Sequence, residues 1–463
     1  MGTAGVAAGH PATVDVGMSI LDRGGSAADA AVAAVLAACV AETIMTGLGG
    51  GGFATHYDAE RREVTCWDFF VAIPGMDGQG SAALRPVEVH FGGVPLEFAV
   101  GAASVAVPGV PAGCEVLHRA FGRLSWPHIV APAIALADAG VPLPPRHAEA
   151  LRDLSAALLA GDGASAYAPR GGLLTAGQSL RHPGLAETLR IIARRGATDC
   201  YRGELAERMV AAVRAEGGSL SAGDLAAYRV RRLPVRTVGF AGFSVAGRDD
   251  LLHTPDTLAN IDVSACFDPV KRAPVLAQAL AAVPDRTLGD TTNVTAVDAQ
   301  GNACVITTTL GLGSGIWPAG TGIHLNSMLG EGELRSDSAI VGQRMGSMMS
   351  PLVVIDPATG RLRLALGAAG ASRIRSALTH TLVHELIDGD DAVRAIARPR
   401  FHPVGRTVHC EYDIDHRVCE ALTLGGFRPT VATEVSHYFG GVSAVDTRSA
   451  AGDPRRDGTG RLQ

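Results

Sequence analysis

The sequence has no CxxC pair, no long apolar run, no cluster of lysine or arginine and no low-complexity linker, and each absence removes a class of protein. Its eight cysteines (Cys39, Cys66, Cys114, Cys200, Cys266, Cys304, Cys410 and Cys419) are scattered, which predicts buried reduced thiols rather than a disulfide frame or a zinc site. The best membrane candidate, Ala30 to Ala41, is an apolar run of 12 residues between Asp29 and Glu42. That is too short to cross a bilayer and reads as a buried helix, so no membrane partner is expected. Met1-Gly-Thr-Ala-Gly has neither a basic start nor an apolar core, so the sequence predicts no secretory leader and a cytoplasmic protein. A net charge of -6, a pI near 6.2 and the lack of any basic–aromatic track exclude a nucleic-acid partner. His380 and His384 are four apart on an expected helix, but no HExxH surrounds them. No metal or cofactor is expected.

What is present is material for a large core. The 463 residues are 47% apolar and 19% charged, enough for two domains or one large layered α/β unit. Pro11 to Arg23 has helical spacing and stops at Gly24-Gly25. Ser26 with Asp29 starts a second helix in the manner of a capping box, apolar nearly all round and so buried between layers. Strands are expected near Phe53–Tyr57 and Glu63–Asp68. Helices are expected over much of Pro108–Gly122, Trp126–Gly140, Pro145–Ala160 and Leu180–Glu216. Val235–Val245 reads as one strand, and a short helix is expected near Pro274–Ala282. Alternation over Thr291–Asp298 and Ala303–Leu310, around a turn at Ala299–Asn302, predicts a hairpin. Leu352–Ile355 and Leu362–Leu366 predict a second one. Helices near Ser372–Leu386 and Asp391–Ala397 follow. Hairpins between helical blocks predict sheets sandwiched by helices.

Seven segments, in order, resemble the gamma-glutamyltransferase (gamma-glutamyltranspeptidase) family. They are Gly5-Val-Ala-Ala-Gly-His-Pro11, Gly24-Gly-Ser-Ala-Ala-Asp-Ala-Ala-Val-Ala33, Gly47-Leu-Gly-Gly-Gly-Gly-Phe53 and Val107-Pro-Gly109 in the first quarter. Gly217-Gly-Ser-Leu-Ser221 with Asp224-Leu-Ala-Ala-Tyr-Arg229, Ala397-Arg-Pro-Arg-Phe401 and Asp453-Pro-Arg-Arg456 follow. The resemblance implies the αββα four-layer sandwich of the N-terminal-nucleophile hydrolases, an α/β fold, spanning residues 1–463 as one domain. It also implies self-cleavage between Asp290 and Thr291, giving a large fragment 1–290 and a small fragment 291–463 that remain together as a heterodimer. Thr291 is then the nucleophile. A threonine hydroxyl attacks poorly until a base takes its proton, and a freed α-amine with a reference pKa of about 7.7–8.0 serves near neutral pH. Thr309 matches a threonine that hydrogen-bonds the nucleophile. Gly370-Ala371, within Gly367-Ala-Ala-Gly-Ala-Ser-Arg373, matches the glycine pair whose amides hold an oxyanion. Ser347 matches the first residue of a serine pair, with Met348 in place of the second.

Departures concern the substrate. Phe70 stands where glutathione-using members carry an arginine that clamps the α-carboxylate, and a phenyl ring cannot replace a bidentate guanidinium. Gly311 replaces an asparagine. Asn293 replaces a histidine. Glu331 or Glu333 stands in for the acidic pair that holds the α-ammonium. The segment from residue 246 to 290 is short for the family. The expected activity is acyl transfer or hydrolysis on a small-molecule amide, γ-glutamyl-like, with water or an amine as acceptor. Hydrolysis of another bond, amide or C–C, and an unprocessed non-catalytic role are the alternatives. Read without the resemblance, Thr291-Thr292 and Thr309 are ordinary strand residues, Gly370-Ala371 is a helix start, Ser347 is a surface turn, and Asp453–Arg456 is a solvated tail with a structural salt bridge.

Overall fold

The first helical layer follows from local signals. In the computed structural model, which describes residues 3–91, 94–250, 253–282, 291–331 and 340–463, helix α1 is Pro11–Asp22 and α2 is Ala27–Ala41. Ser26 and Asp29 form the expected capping box. Every residue of α2 is buried, so the helix lies between layers. Val110–Phe121 (α3) and Trp126–Ala139 (α4) pack against α2, and Leu185–Arg195 (α5) packs on α4.

Two sheets follow. The first uses β1 (Gly5–Ala8), β2 (Gly51–Asp58), β3 (Glu63–Phe69), β4 (Arg231–Leu233), β7 (Thr292–Val297), β8 (Ala303–Thr309) and β13 (Thr459–Leu462). Its order is β13-β1-β7-β8-β2-β3-β4, with every pairing antiparallel. The second uses β5 (Val235–Phe240), β6 (Phe243–Arg248), β9 (Leu352–Ile355), β10 (Leu362–Ala369), β11 (Gly441–Asp446) and β12 (Ala450–Gly452), in the order β12-β11-β10-β9-β6-β5. α2 covers β7 and β8, whose other face packs on β10 and β11. The far faces of β10 and β11 are covered by Arg373–Leu386 (α7), and Arg272–Ala281 (α6) lies farther out on that side. This is the αββα four-layer sandwich. Both expected hairpins are present, at β7–β8 and β9–β10.

Side-chain alternation assigns each strand residue to a layer. Thr292 and Thr308 face the helices, where the Thr292 hydroxyl donates to Glu42 and Thr308 Oγ1 lies 2.8 Å from Thr46 Oγ1. Asn293, Thr295 and Thr307 face the second sheet: Thr295 Oγ1 donates to the Ser443 carbonyl at 2.9 Å, and Thr307 Oγ1 to Asn293 Oδ1 at 2.7 Å.

Three element readings change. The expected single strand Val235–Val245 is the hairpin β5–β6, because Ala241 and Gly242 both adopt positive φ (50° and 86°), as a two-residue primed turn requires. The helix expected over Leu180–Glu216 is broken at Gly196 (φ 76°), and the one over Pro145–Ala160 is interrupted at Leu154. All eight cysteines are free; seven are buried and Cys419 is half-buried. Among the described residues no helix is long and apolar enough to cross a membrane.

Candidate functional site

Thr291 immediately precedes β7 and is buried at 4% exposure. Thr292 pairs with Thr308, so the same register carried back one residue sets Thr291 across from Thr309, at the open end of the β7–β8 ladder. Alternation turns both away from the helices, toward the second sheet. The Thr309 hydroxyl accepts the Gly311 N–H at 2.9 Å.

A small cavity of about 20 Å³ opens at this end of the sandwich. Thr291, Glu42, Ala369, Gly441, Asp453 and Arg456 are among its walls. Ala369 ends β10 and leads directly into Gly370 and Ala371, so the expected amide pair emerges beside Thr291's cavity. Both residues have positive φ, 116° and 52°. A left-handed alanine is strained, and strain of this kind concentrates at functional backbone. A Cβ at Gly370 would lie 2.7 Å from Gly440 Cα and 3.4 Å from the Arg456 guanidinium, so glycine is required there. The two residues do more than begin a helix: α7 starts at Arg373, after this left-handed turn.

The other expected site residues lie elsewhere. Phe70 does not line the cavity. It is fully buried in the apolar core between the second sheet and its helices, its ring 5.4 Å from that of Phe53, with its carbonyl accepting the Tyr228 hydroxyl at 2.7 Å. Ser347 is half-buried on an irregular segment, where its hydroxyl accepts the Met349 N–H at 3.2 Å, and it is not a wall of the cavity. Gly311 (φ 68°) touches Glu331: a Cβ there would lie 3.0 Å from Glu331 Oε1 and 2.7 Å from Ser327 Oγ. Glu331 is buried, its Oε1 has no hydrogen-bond partner among the described residues, and burial pushes its carboxyl up to about 8. Asp290 and Glu333 lie outside the described residues.

Two groups beside Thr291 escape the sequence-based reading. Glu42 follows α2, and burial raises its carboxyl, opposed by hydrogen bonds from Thr13 and Thr292 and by the charge of Arg456. A lone acid closing an apolar helix was the available signal. The second is the closing motif, which is no solvated tail. Asp453, Arg455 and Arg456 are all buried, and Asp453 pairs with Arg400 and with Arg455 (3.2 Å). Glu411 completes the cluster by accepting from Arg455 at 2.6 Å. The salt bridge is therefore present, but inside the protein.

One group among the described residues has metal-like spacing: His384, Asp388 and Asp390 bring ligand atoms within 4.8 Å of one another. Arg272 bonds both oxygens of Asp388, at 2.7 and 2.8 Å, and Arg398 bonds Asp390 at 2.9 Å, so guanidinium groups already neutralise the carboxylates.

Comparison with known proteins bears on the family and the fold. A family model described as Gamma-glutamyltranspeptidase matches residues 13–249 and 258–462. The Acylase ACY 1 proenzyme of Pseudomonas sp. (strain V22) is 28% identical over 98% of this chain and 92% of its own length. The Glutathione hydrolase proenzyme of Pseudomonas sp. (strain A14) is 27% identical over 84% of this chain and 79% of its own. Cephalosporin acylase from Bacillus halodurans superposes with a TM-score of 0.84 at 21% identity, covering 99% of this chain and 96% of that one. That likeness bears out the N-terminal-nucleophile hydrolase fold. With the family model matched along nearly the whole length, the chain belongs to the gamma-glutamyltranspeptidase family.

Proposed function

We propose that this protein is an amide hydrolase or acyltransferase that frees Thr291 by cleaving its own Asp290–Thr291 bond, leaving fragments 1–290 and 291–463 as a heterodimer. The observation that carries the reading is the meeting of Thr291 with the end of β10, where Gly370 and Ala371 turn left-handed beside the same cavity. In the first step the Thr291 hydroxyl attacks the preceding carbonyl, and water resolves the resulting ester. In turnover the freed α-amine takes the hydroxyl proton and Oγ1 attacks the substrate amide. The Gly370 and Ala371 N–H groups stabilise the oxyanion, and Thr309 orients the hydroxyl. The amine then protonates the leaving nitrogen, and water or an amine releases the acyl group.

The acyl group differs from a γ-glutamyl held by arginine. Phe70 provides no guanidinium, and its burial in the core leaves it no ligand to bind. Hydrogen bonds to charged groups contribute about 1.5–3 kcal/mol each, so losing a two-bond clamp lowers glutathione-like turnover by several powers of ten. The acylase name carried by a relative that covers 98% of the chain points the same way. The test is mass spectrometry of wild type and Thr291→Ala, with a γ-glutamyl anilide compared against acyl anilides lacking the α-carboxylate. A new N-terminal Thr291 and a preference for the simple acyl anilide are expected. An intact wild-type chain that still turns over substrate, or efficient use of the γ-glutamyl compound, would sink the reading.

A further inference from the structure

Thr291's cavity has an acidic wall that the chemistry above does not use. Glu42 Oε1 accepts the Thr13 hydroxyl at 2.6 Å, and Oε2 accepts the Thr292 hydroxyl. All three groups are buried. A Cβ at Gly9 would lie 2.6 Å from Glu42 Oε2 and 3.1 Å from Thr292 Oγ1, so the turn after β1 can approach this contact only as glycine. That close approach gives Gly9 of the opening motif a physical purpose.

The bond matters because of where Thr292 stands. A nucleophile at a chain start has no preceding peptide to hold it. The β7 ladder and the next residue then help to fix its position, and strand ends fray. Thr292 is that next residue, and its side chain points into the helix layer while Thr291 turns toward the second sheet. An anchor on Thr292 therefore holds the backbone next to Thr291 from the helix-layer wall of the cavity. We propose that Glu42 is a positioning residue, holding the Thr292 hydroxyl so that the α-amine and hydroxyl of Thr291 meet the substrate carbonyl. The proposal rests on reading Thr291 as the nucleophile.

The chemistry of the wall fits this role. Glu42 meets two hydroxyls and no guanidinium within ion-pair distance among the described residues, and its carboxyl is pushed up by burial. Hydroxyls reverse donor and acceptor roles freely, so they satisfy the acid whether or not it is ionised. The anchor thus holds across the pH range in which the α-amine must lose its proton.

The experiment uses full-length Glu42→Gln, Thr292→Val, Thr292→Ser and the double variant Glu42→Gln/Thr292→Val, each checked for a new N-terminus at Thr291. Misplacing a reacting group by about 1 Å costs up to about a hundredfold. Thr292→Val is therefore expected to lower kcat by about ten- to a hundredfold, with KM changed less than about threefold. Thr292→Ser keeps the hydroxyl and should retain wild-type kcat. The double variant should be no slower than Thr292→Val alone, because without the Thr292 hydroxyl residue 42 has no bond to that position left to lose. If Glu42→Gln fails to fold, the valine–serine contrast at 292 decides. A processed Thr292→Val enzyme with wild-type kcat, or kcat losses that multiply in the double variant, would overturn the positioning role and leave the nucleophile standing. Turnover by wild type without an N-terminal Thr291 would overturn both.

Discussion

Two buried acids wall the same cavity and are satisfied in opposite ways. Burial alone would raise Asp453, but the charges of Arg400 and Arg455 outweigh it and hold its carboxyl below the usual range. Glu42, a cavity's width away, is bonded by two hydroxyls and is raised. One acid is part of an ionic knot that joins the segment after α7 to the C-terminal turn. The other accepts from the hydroxyl of Thr292, at the start of β7. The contrast separates an acid that holds the fold from one proposed to place Thr291, and the two should respond differently to mutation.

The largest effect is expected at the knot. Removing one partner of a buried pair costs about 3–5 kcal/mol, because the remaining charge is left uncompensated. Asp453→Ala removes the carboxylate that pairs with Arg400 and leaves Arg455 to Glu411 alone, so it should lower the midpoint of urea unfolding strongly, along with the yield of folded protein. Glu42→Gln is nearly the same shape and can accept from one threonine while donating to the other. Its stability should stay within about 1 kcal/mol of wild type. Equal losses in the two variants would show that Glu42 is also structural.

A third acid, Glu331, extends the comparison to pH. Its folded pKa of about 8 lies above its ordinary value of 4.5, so the folded state holds the proton longer than the unfolded chain does. Stability is intact below about pH 4.5, falls as pH rises toward 8 and changes no further above that. The loss is on the order of a few kcal/mol. Glu331→Gln removes the titration, so its melting temperature should exceed that of wild type by a margin that widens from pH 5 to pH 8. A constant margin would mean that Glu331 is ionised throughout. The buried histidines His182 and His324, held down to about 4 and about 3 by burial, act in reverse. They bind protons more readily when unfolded, and withdraw stability as pH falls below about 6.5.

The same contrast explains what could be read without coordinates. The β7–β8 and β9–β10 hairpins announced themselves by strict alternation, and α2 by its capping box and continuous apolar face. The roles proposed for Thr291 and for Gly370-Ala371 were suggested only by the motifs around them. The β5–β6 turn was missed because Ala241 carries none of the usual turn chemistry, yet takes φ 50°. Asp453–Arg456 was misread because charge runs are normally solvated. Its partners Arg400 and Glu411 lie more than 40 residues away, and nothing local reports that pairing. Phe70 was read as the place of a missing guanidinium, and the structure puts its ring in the core and not among the walls of the Thr291 cavity.

Adjacent Gly370 and Ala371 offer the finest comparison, since both sit at positive φ and respond in opposite directions. At Gly370, φ 116° lies outside any well that an L-residue occupies comfortably, and a new Cβ would press on Gly440 Cα at 2.7 Å. Gly370→Ala should cost about 1–3 kcal/mol from backbone strain, with a further loss from the contact. At Ala371 the strain is already present. Ala371→Gly relieves about 1–2 kcal/mol of left-handed penalty. It also frees the unfolded chain, which returns about 0.4–1 kcal/mol in the other direction. The net change should be a gain of no more than about 1 kcal/mol, small enough that thermal melting and kinetics must be read together. If Ala371 supplies only its N–H to an oxyanion, Ala371→Gly keeps that group and kcat should change less than about threefold. A large fall in kcat with unchanged melting would mean that the strained alanine itself holds the amide in line, and that strain at this turn is part of the catalytic geometry.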